Sequence, residues 1–402
     1  MTIPLRKVLA TTILFSSSFA WFFIFYYYFD ELISPGSLYS FWFNAGTVIF
    51  LISSVVSAFI GSVIAAKVNR RKLLLLWLIS GVIATIPILF FRGDEFLVIW
   101  GMIAGLSFGV GFPSCQAFLA DSTAPEERGR VAGLVILVTF VLVVFSFLLK
   151  PALGLESAGI LLLTIGIKSI GFLSFALDPI DRVENEAKPW RAILGYRDFN
   201  LYLLPYVLFM VAAGLVSLLW QGLPSTPEYD AITQIALILR YVGLGVFAII
   251  AGLMADRIGR KKPIILGLIM LGAAYAIVGL LTTPETYFVN LLLSGFAWGI
   301  IMVVYLVVPG DLSFAGSAER FYTVGWVLPL VLYIGVEGTG KFIGITPRID
   351  VLSAILSIVL FASILPLLSA VETLSESKMR ERRLKEHIEK VRKVVSASKK
   401  KK

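Results

Sequence analysis

The sequence predicts an all-α membrane protein: twelve transmembrane helices in two pseudo-symmetric six-helix bundles. Three observations carry that expectation. Apolar runs long enough to cross a bilayer recur along the chain. The basic residues gather on one side of those runs. The first half of the chain also repeats in the second, at an offset of 190 residues.

The 402 residues are 58% hydrophobic and 15% charged, with a mean hydropathy of +0.90. Soluble domains carry roughly 25% charged residues, so this is a membrane composition. A helix needs about 20 apolar residues to cross the hydrocarbon. Twelve stretches qualify, numbered here as spans 1 to 12: about 8–30, 39–65, 73–91, 96–119, 131–150, 156–178, 198–220, 231–254, 263–283, 286–309, 321–341 and 350–371.

The connections set the orientation. If both termini and every second connection share one side, that side holds 29 Lys and Arg; the other holds only Arg92, Lys150, Lys341 and Arg348. Basic residues are retained on the cytoplasmic face. The sequence therefore places both termini of this cell-membrane protein in the cytoplasm. The first apolar run lacks a small-residue cleavage site and reads as span 1, not as a signal peptide.

Of the 35 basic residues, 12 lie between Lys378 and Lys402. With Leu384, Ile388, Val391 and Val395 on one stripe, this tail is expected to lie on anionic lipid or to be solvated. Nucleic acid is not an expected partner. A single cysteine, Cys115, and a single histidine, His387 in the tail, leave no disulfide and no Cys- or His-built metal site. No glycine-rich phosphate loop follows a strand. Neither a cofactor nor enzymatic chemistry is expected.

The repeat is coherent over four spans. Gly105 and Gly109 match Gly295 and Gly299, Asp121 matches Asp311, Arg130 matches Arg320, and Asn44 matches Gln234. The run Ala65–Lys72 matches Ala255–Lys262. Six spans repeated in one orientation is a known transporter plan, with the transport site between the halves. Gly101, Gly105 and Gly109 are spaced for close helix approach.

The run Gly252–Lys262, GLMADRIGRKK, resembles the loop signature of the major facilitator superfamily, matched by Gly252, Asp256, Arg257, Gly259, Arg260 and Lys261. Gly259 suits the left-handed backbone of a tight reversal. In the first-half copy Asn69 replaces that glycine and is expected to tolerate the same backbone, while Ala66 replaces the aspartate. Asp121 to Arg130 also looks like the superfamily's connection between spans 4 and 5. The resemblance implies an N-terminal bundle over 1–180, a cytoplasmic linker over 181–197, a C-terminal bundle over 198–372 and the tail beyond. It implies a cavity lined by spans 1, 4, 7 and 10, with 2, 5, 8 and 11 at its sides. It further implies a conformational gate made by Asp256, Arg257, Gly259, Arg260, Arg128, Arg130, Asp121 and Asp311. Asp256 should face the start of span 5, and Ala66 should leave the opposite contact near Arg320 unmade: a one-sided lock.

Ionisable groups inside spans are costly, so each is a functional candidate. Arg240 in span 8 can bind an anion with paired donors, or form a structural ion pair with Glu337. Glu337 in span 11 is a candidate for coupling, or for pairing with Arg240 or Lys341. Lys168 in span 6 reads as structural or snorkelling. Asn44, Gln116, Gln221, Gln234, Asn290, Trp298 and Tyr305 are the remaining candidate cavity residues.

Compared with the superfamily's proton-driven drug exporters, Gly101 stands where they carry an arginine, and the run Val131 to Leu149 has no proline. The sequence therefore points to a monomeric secondary transporter of a small solute, in particular an anion, coupled to protons or a counter-anion by alternating access. The alternatives are an exporter of amphipathic compounds, or a transporter-like sensor or lipid scramblase.

Overall fold

The structure is a computed structural model that describes residues 3–33, 41–178, 187–221, 226–343 and 348–374. The side chains of Asn44, Gln221, Gln234 and Lys341, part of the linker and the tail from residue 375 lie outside the described residues.

Eleven of the described helices are long and apolar enough to cross a membrane: Leu5–Tyr27, Ala45–Ala65, Arg70–Leu89, Asp94–Ser122, Pro125–Leu153, Ser157–Leu177, Arg197–Val216, Ile235–Ile258, Lys261–Leu280, Pro284–Leu312 and Ile349–Ser369. The remaining span, number 11, is assembled from Ala318–Tyr322, a π-helical turn Thr323–Val327 and Leu328–Ile343. Spans 5 and 8 belong to longer helices, Pro125–Leu153 and Pro227–Ile258, than their apolar runs suggest. Hydropathy marks the part of a helix inside the lipid. The helix itself starts at its proline, which suits a first-turn position where no N–H is required.

Outward faces carry large exposed apolar side chains such as Leu76, Ile83, Ile358 and Leu365. That surface is stable only against hydrocarbon. Lipid tails give no hydrophobic drive between helices, so close packing of small residues takes over. A Cβ on Gly101, Gly105 or Gly109 would lie 2.5, 2.2 or 2.0 Å from the carbonyl oxygens of Gly46, Phe50 and Ser54 in span 2. In the second half, Gly295 and Gly299 meet the carbonyls of Arg240 and Leu244 in span 8 at 2.4 and 2.3 Å. Phe50 and Arg240, like Ser54 and Leu244, are themselves 190 residues apart, so the repeat holds contact for contact.

The halves meet along spans 5 and 8, where Gly129 and Gly133 pack on the backbone of Gly252 and Ala248. Gly259 has φ +93°, the positive value its turn requires. Asn69 does not share it. Its φ is −57°, and its side-chain oxygen accepts from Arg71 N–H and Lys72 N–H as the N-cap of span 3. The expected left-handed asparagine is thus corrected. A carboxamide cap closes the first-half turn without a positive φ.

Candidate functional site: a charged layer and a central cavity

The signature loops and the starts of spans 5 and 11 form a charged layer across the two halves, at the end where span 1 begins. Asp256 is buried, and its Oδ1 accepts from Gly129 N–H at 2.8 Å. Its Oδ2 accepts from Arg130 N–H at 3.0 Å and from Arg130 Nε at 3.1 Å. Arg260 reaches Asp256 at 3.2 Å, Asp311 at 2.8 Å and the Pro125 carbonyl at 2.5 Å. Burial works against the charge of Arg260, but Asp311 and Asp256 outweigh it and push the guanidinium above its ordinary range. Arg128 joins Asp311 from the opposite half at 2.5 Å. Asp121 pairs with Arg70 at 2.8 Å. Arg257 is exposed and makes none of these contacts.

Two members of this layer, Glu319 and Glu372, are absent from the sequence reading. Arg70 also bridges to Glu319 at the start of span 11, at 2.8 Å, with both side chains buried. The expected one-sided lock is therefore corrected: Ala66 lacks the charge, but Glu319 supplies a carboxylate from the other side of the same interface. Glu372, just after span 12, accepts from Arg260 N–H at 2.7 Å and Lys261 N–H at 3.2 Å. It caps span 9 as Asn69 caps span 3. Arg320 bonds the Lys188 carbonyl and lies 5.3 Å from the ring of Trp190 in the short linker helix Trp190–Leu194.

Beyond this layer, toward the opposite end of the bundles, lies a cavity of about 370 Å³. Its walls are strongly aromatic. Phe19, Phe22, Phe23 and Tyr26 come from span 1, Phe108 and Phe112 from span 4, Tyr206 from span 7, and Tyr241 from span 8. Trp326 and Tyr333 enter from span 11. The π-turn around Trp326 sets its ring 5.8 Å from Phe19 and 5.6 Å from Phe112. Its indole N–H is buried and has no acceptor. π-turns in helices are frequent at functional sites.

Arg240, Trp298 and Glu337 of the sequence candidates line this cavity. Arg240 is partly exposed, its Nε has no hydrogen-bond partner, and among the described residues no carboxylate pairs with it. The Arg240–Glu337 ion pair does not form. Glu337 instead lies by the phenol of Tyr333, whose oxygen is 3.5 Å from that of Tyr26.

Gln116, Asn290 and Tyr305 do not line the cavity. Gln116 is fully buried one turn beyond Phe112, below the cavity floor, with both amide atoms unpartnered. Asn290 lies eight residues before Trp298, which at 3.6 residues per turn rotates it roughly 80° away; it too is fully buried. Tyr305 is covered by Tyr206, ring on ring at 4.2 Å. Spans 2, 8 and 11 contribute walls as fully as spans 1, 4, 7 and 10, so the division into lining and side spans is looser than the resemblance implies. Lys168 does not snorkel: it is fully buried inside the first bundle.

Residues 8–332 match the family described as the Major Facilitator Superfamily. No curated protein matches the sequence. Among solved structures, the human organic anion transporter MFSD10 (TETRAN) is similar, with a TM-score of 0.73 at 14% identity over 90% of this chain and 99% of that one. A bacterial homologue of the iron transporter ferroportin, in an outward-facing state, gives 0.68 at 14% identity over 90% and 98%. Identities this low establish the fold alone. The match in sequence covers most of the chain, all of it in membrane-spanning helices and their connections, and it makes this multi-pass protein a small-molecule transporter and not an enzyme: the chain belongs to the Major Facilitator Superfamily.

Proposed function

We propose that this transporter moves a small organic anion across the cell membrane by alternating access. The single observation that carries the reading is Arg240. It is a cationic group in an aromatic cavity, without a carboxylate partner among the described residues, and with a donor left unsatisfied. A guanidinium binds carboxylate or phosphate with paired donors. The unpartnered Trp326 N–H offers a second donor, and the aromatic walls suit an apolar body. A volume of about 370 Å³ is at the small end of ligand cavities, which run from about 300 to 1,000 Å³.

MFSD10 is described as an organic anion transporter, and the same chemistry suits this cavity. Iron suits it less. Among the described residues no group of three His, Cys, Asp or Glu side chains is gathered to hold a metal ion. The charge count favours a cytoplasmic position for the charged layer, which would then be an inner gate in its closed state. Glu337, beside Tyr333 in the same cavity, is the candidate for coupling anion movement to a proton or a counter-anion.

A thermal-shift screen of the purified protein tests the reading. Aromatic carboxylates should stabilise the wild type, and the matching carboxamides should not. Arg240→Ala should remove the difference, and Arg240→Lys should weaken it because a point charge cannot replace a bidentate fork. Stabilisation by lipophilic cations instead would favour export of amphipathic compounds.

A further inference from the structure

Lys168 is used by neither the cavity nor the charged layer. It lies in span 6, fully buried, with Nζ 4.0 Å from the ring of Trp77 in span 3 and 5.2 Å from the ring of Trp21 in span 1. Nζ has no hydrogen-bond acceptor, and among the described residues no carboxylate pairs with it. Gly81 leaves the space its stem fills: a Cβ there would come within 2.5 Å of Lys168 Cε. Trp21 is fixed in turn, its N–H donating to Thr85 Oγ1 at 3.1 Å. The surroundings are shaped to hold an amine against two indole faces.

The same cage grips a break in span 4. Helix Leu97–Gly109 stops, and helix Phe112–Ser122 begins after Val110 and Gly111. Carbonyls in the last turn of a helix lack an N–H from their own helix. The Trp77 indole N–H donates to one of them, Phe108, at 2.7 Å. Gly111 packs so closely on Trp77 that a Cβ would lie 2.2 Å from the ring. Phe108, Gly109 and Phe112, on both sides of the break, line the cavity. A change at Lys168 therefore has a two-contact route to the transport site.

We propose that Lys168 is a proton-binding site of the N-terminal bundle, and that its protonation sets the grip of Trp77 on the break in span 4. Desolvation penalises the ammonium, and the indole faces favour it. The balance between the two forms then follows the positions of the rings. Other ionisable groups near the site are few. Span 4 contributes the Cys115 thiol, and Arg70 at the start of span 3 lies beyond that thiol. Span 1 and span 3 otherwise face it with the two indoles and Thr85. Span 5 and the short helix Phe29–Ile33, which also pack on span 6, carry Lys150 and Glu31, paired with each other at 2.5 Å. Glu156 and Asp178 lie at the two ends of span 6 itself. When the lysine is neutral, Trp77 is freed to leave the Phe108 carbonyl, and the segments of span 4 realign. The proposal stands on family membership and does not depend on the anion reading.

The test uses full-length protein in lipid nanodiscs, with tryptophan emission followed from mildly acidic to alkaline pH. Spin labels at the exposed Lys72 and Lys262, one in each half, report the separation at the charged layer. Wild type should show a reversible one-proton change in emission, with a distance change at the same midpoint. Lys168→Met fixes the neutral form, and Lys168→Arg fixes the charged one, because arginine does not deprotonate in proteins. Both variants should lose the emission change entirely, and their distance distributions should sit at opposite ends of the wild-type range. A wild type that shows no titration would overturn the proposal. So would a titration of the same midpoint surviving in either folded variant, or the same distances in Met and Arg variants. If one variant fails to fold, the other still decides by its response to pH.

Discussion

The two halves of this transporter share one framework and differ where chemistry is placed. Arg70 and Arg260 occupy equivalent positions, and each pairs with the equivalent aspartate, Asp121 or Asp311. In the second half the carboxylate that reaches across the interface is in the loop, at Asp256, and the residue facing it is Gly129. In the first half the loop has Ala66, and the position equivalent to Gly129 is Glu319, which Arg70 takes up. The acid has changed sides, and the closure has kept both of its arms. In the cavity the asymmetry is plain: Arg240 in span 8 stands where span 2 has Phe50, and each packs on the equivalent glycine. The charged layer thus draws on both halves, and on the proposed function the recognition of substrate is concentrated in one.

The first way to break this comparison is Asp256→Ala. It removes the acceptor of two backbone and two side-chain donors and takes from the buried Arg260 one of its two carboxylates, Asp311 remaining. Losing one partner of a buried pair costs about 3–5 kcal/mol. The equilibrium should move several hundredfold or more toward opening at the charged layer, read as a longer separation between labels at Lys72 and Lys262. Glu319→Gln should do less, because Arg70 keeps Asp121. A charged hydrogen bond is worth about 2 kcal/mol, or roughly thirtyfold. If Glu319→Gln leaves the distances unchanged while Asp256→Ala shifts them, the lock is one-sided after all.

A charge swap sharpens the point with the smallest effect. Ala66→Asp alone should fail to tighten closure, because it sets a second carboxylate toward Glu319. In a Glu319→Gly background the same substitution should recover part of the lost closure, reproducing the arrangement of the other half. Recovery of at least a few-fold in the closed population, by the same distance measurement, is the expected result.

Much of this architecture is legible in the sequence. Apolar runs long enough to span a membrane, the offset of 190 residues and the loop signature lead to twelve spans in two repeats, and Asp256 does meet the start of span 5. What escapes has physical reasons. Spans are apolar on both their lipid-facing and packed faces, so hydropathy does not say which face looks inward. Polar residues such as Gln116 and Asn290 then read as cavity residues when they are buried between helices. The aromatic walls are the reverse case: Phe19, Phe22 and Trp326 look like ordinary span residues until the π-turn and the crossing of spans 1, 4 and 11 bring them together. Glu319 and Glu372 escape because their roles depend on partners 249 and 112 residues away in sequence.

The central claim is that Arg240 makes this cavity a site for organic anions, and Arg240→Phe tests it most directly, because phenylalanine is what the other half carries there. The measurement is the dissociation constant of an aromatic carboxylate and of its uncharged carboxamide, by calorimetry, on wild type and variant. A charged hydrogen-bonded pair is worth about 1.5–3 kcal/mol, so the wild type should prefer the carboxylate by roughly tenfold to a hundredfold. Arg240→Phe should bind both alike while keeping the fold and the closed distances at the charged layer. A carboxylate preference that survives in Arg240→Phe would contradict the account.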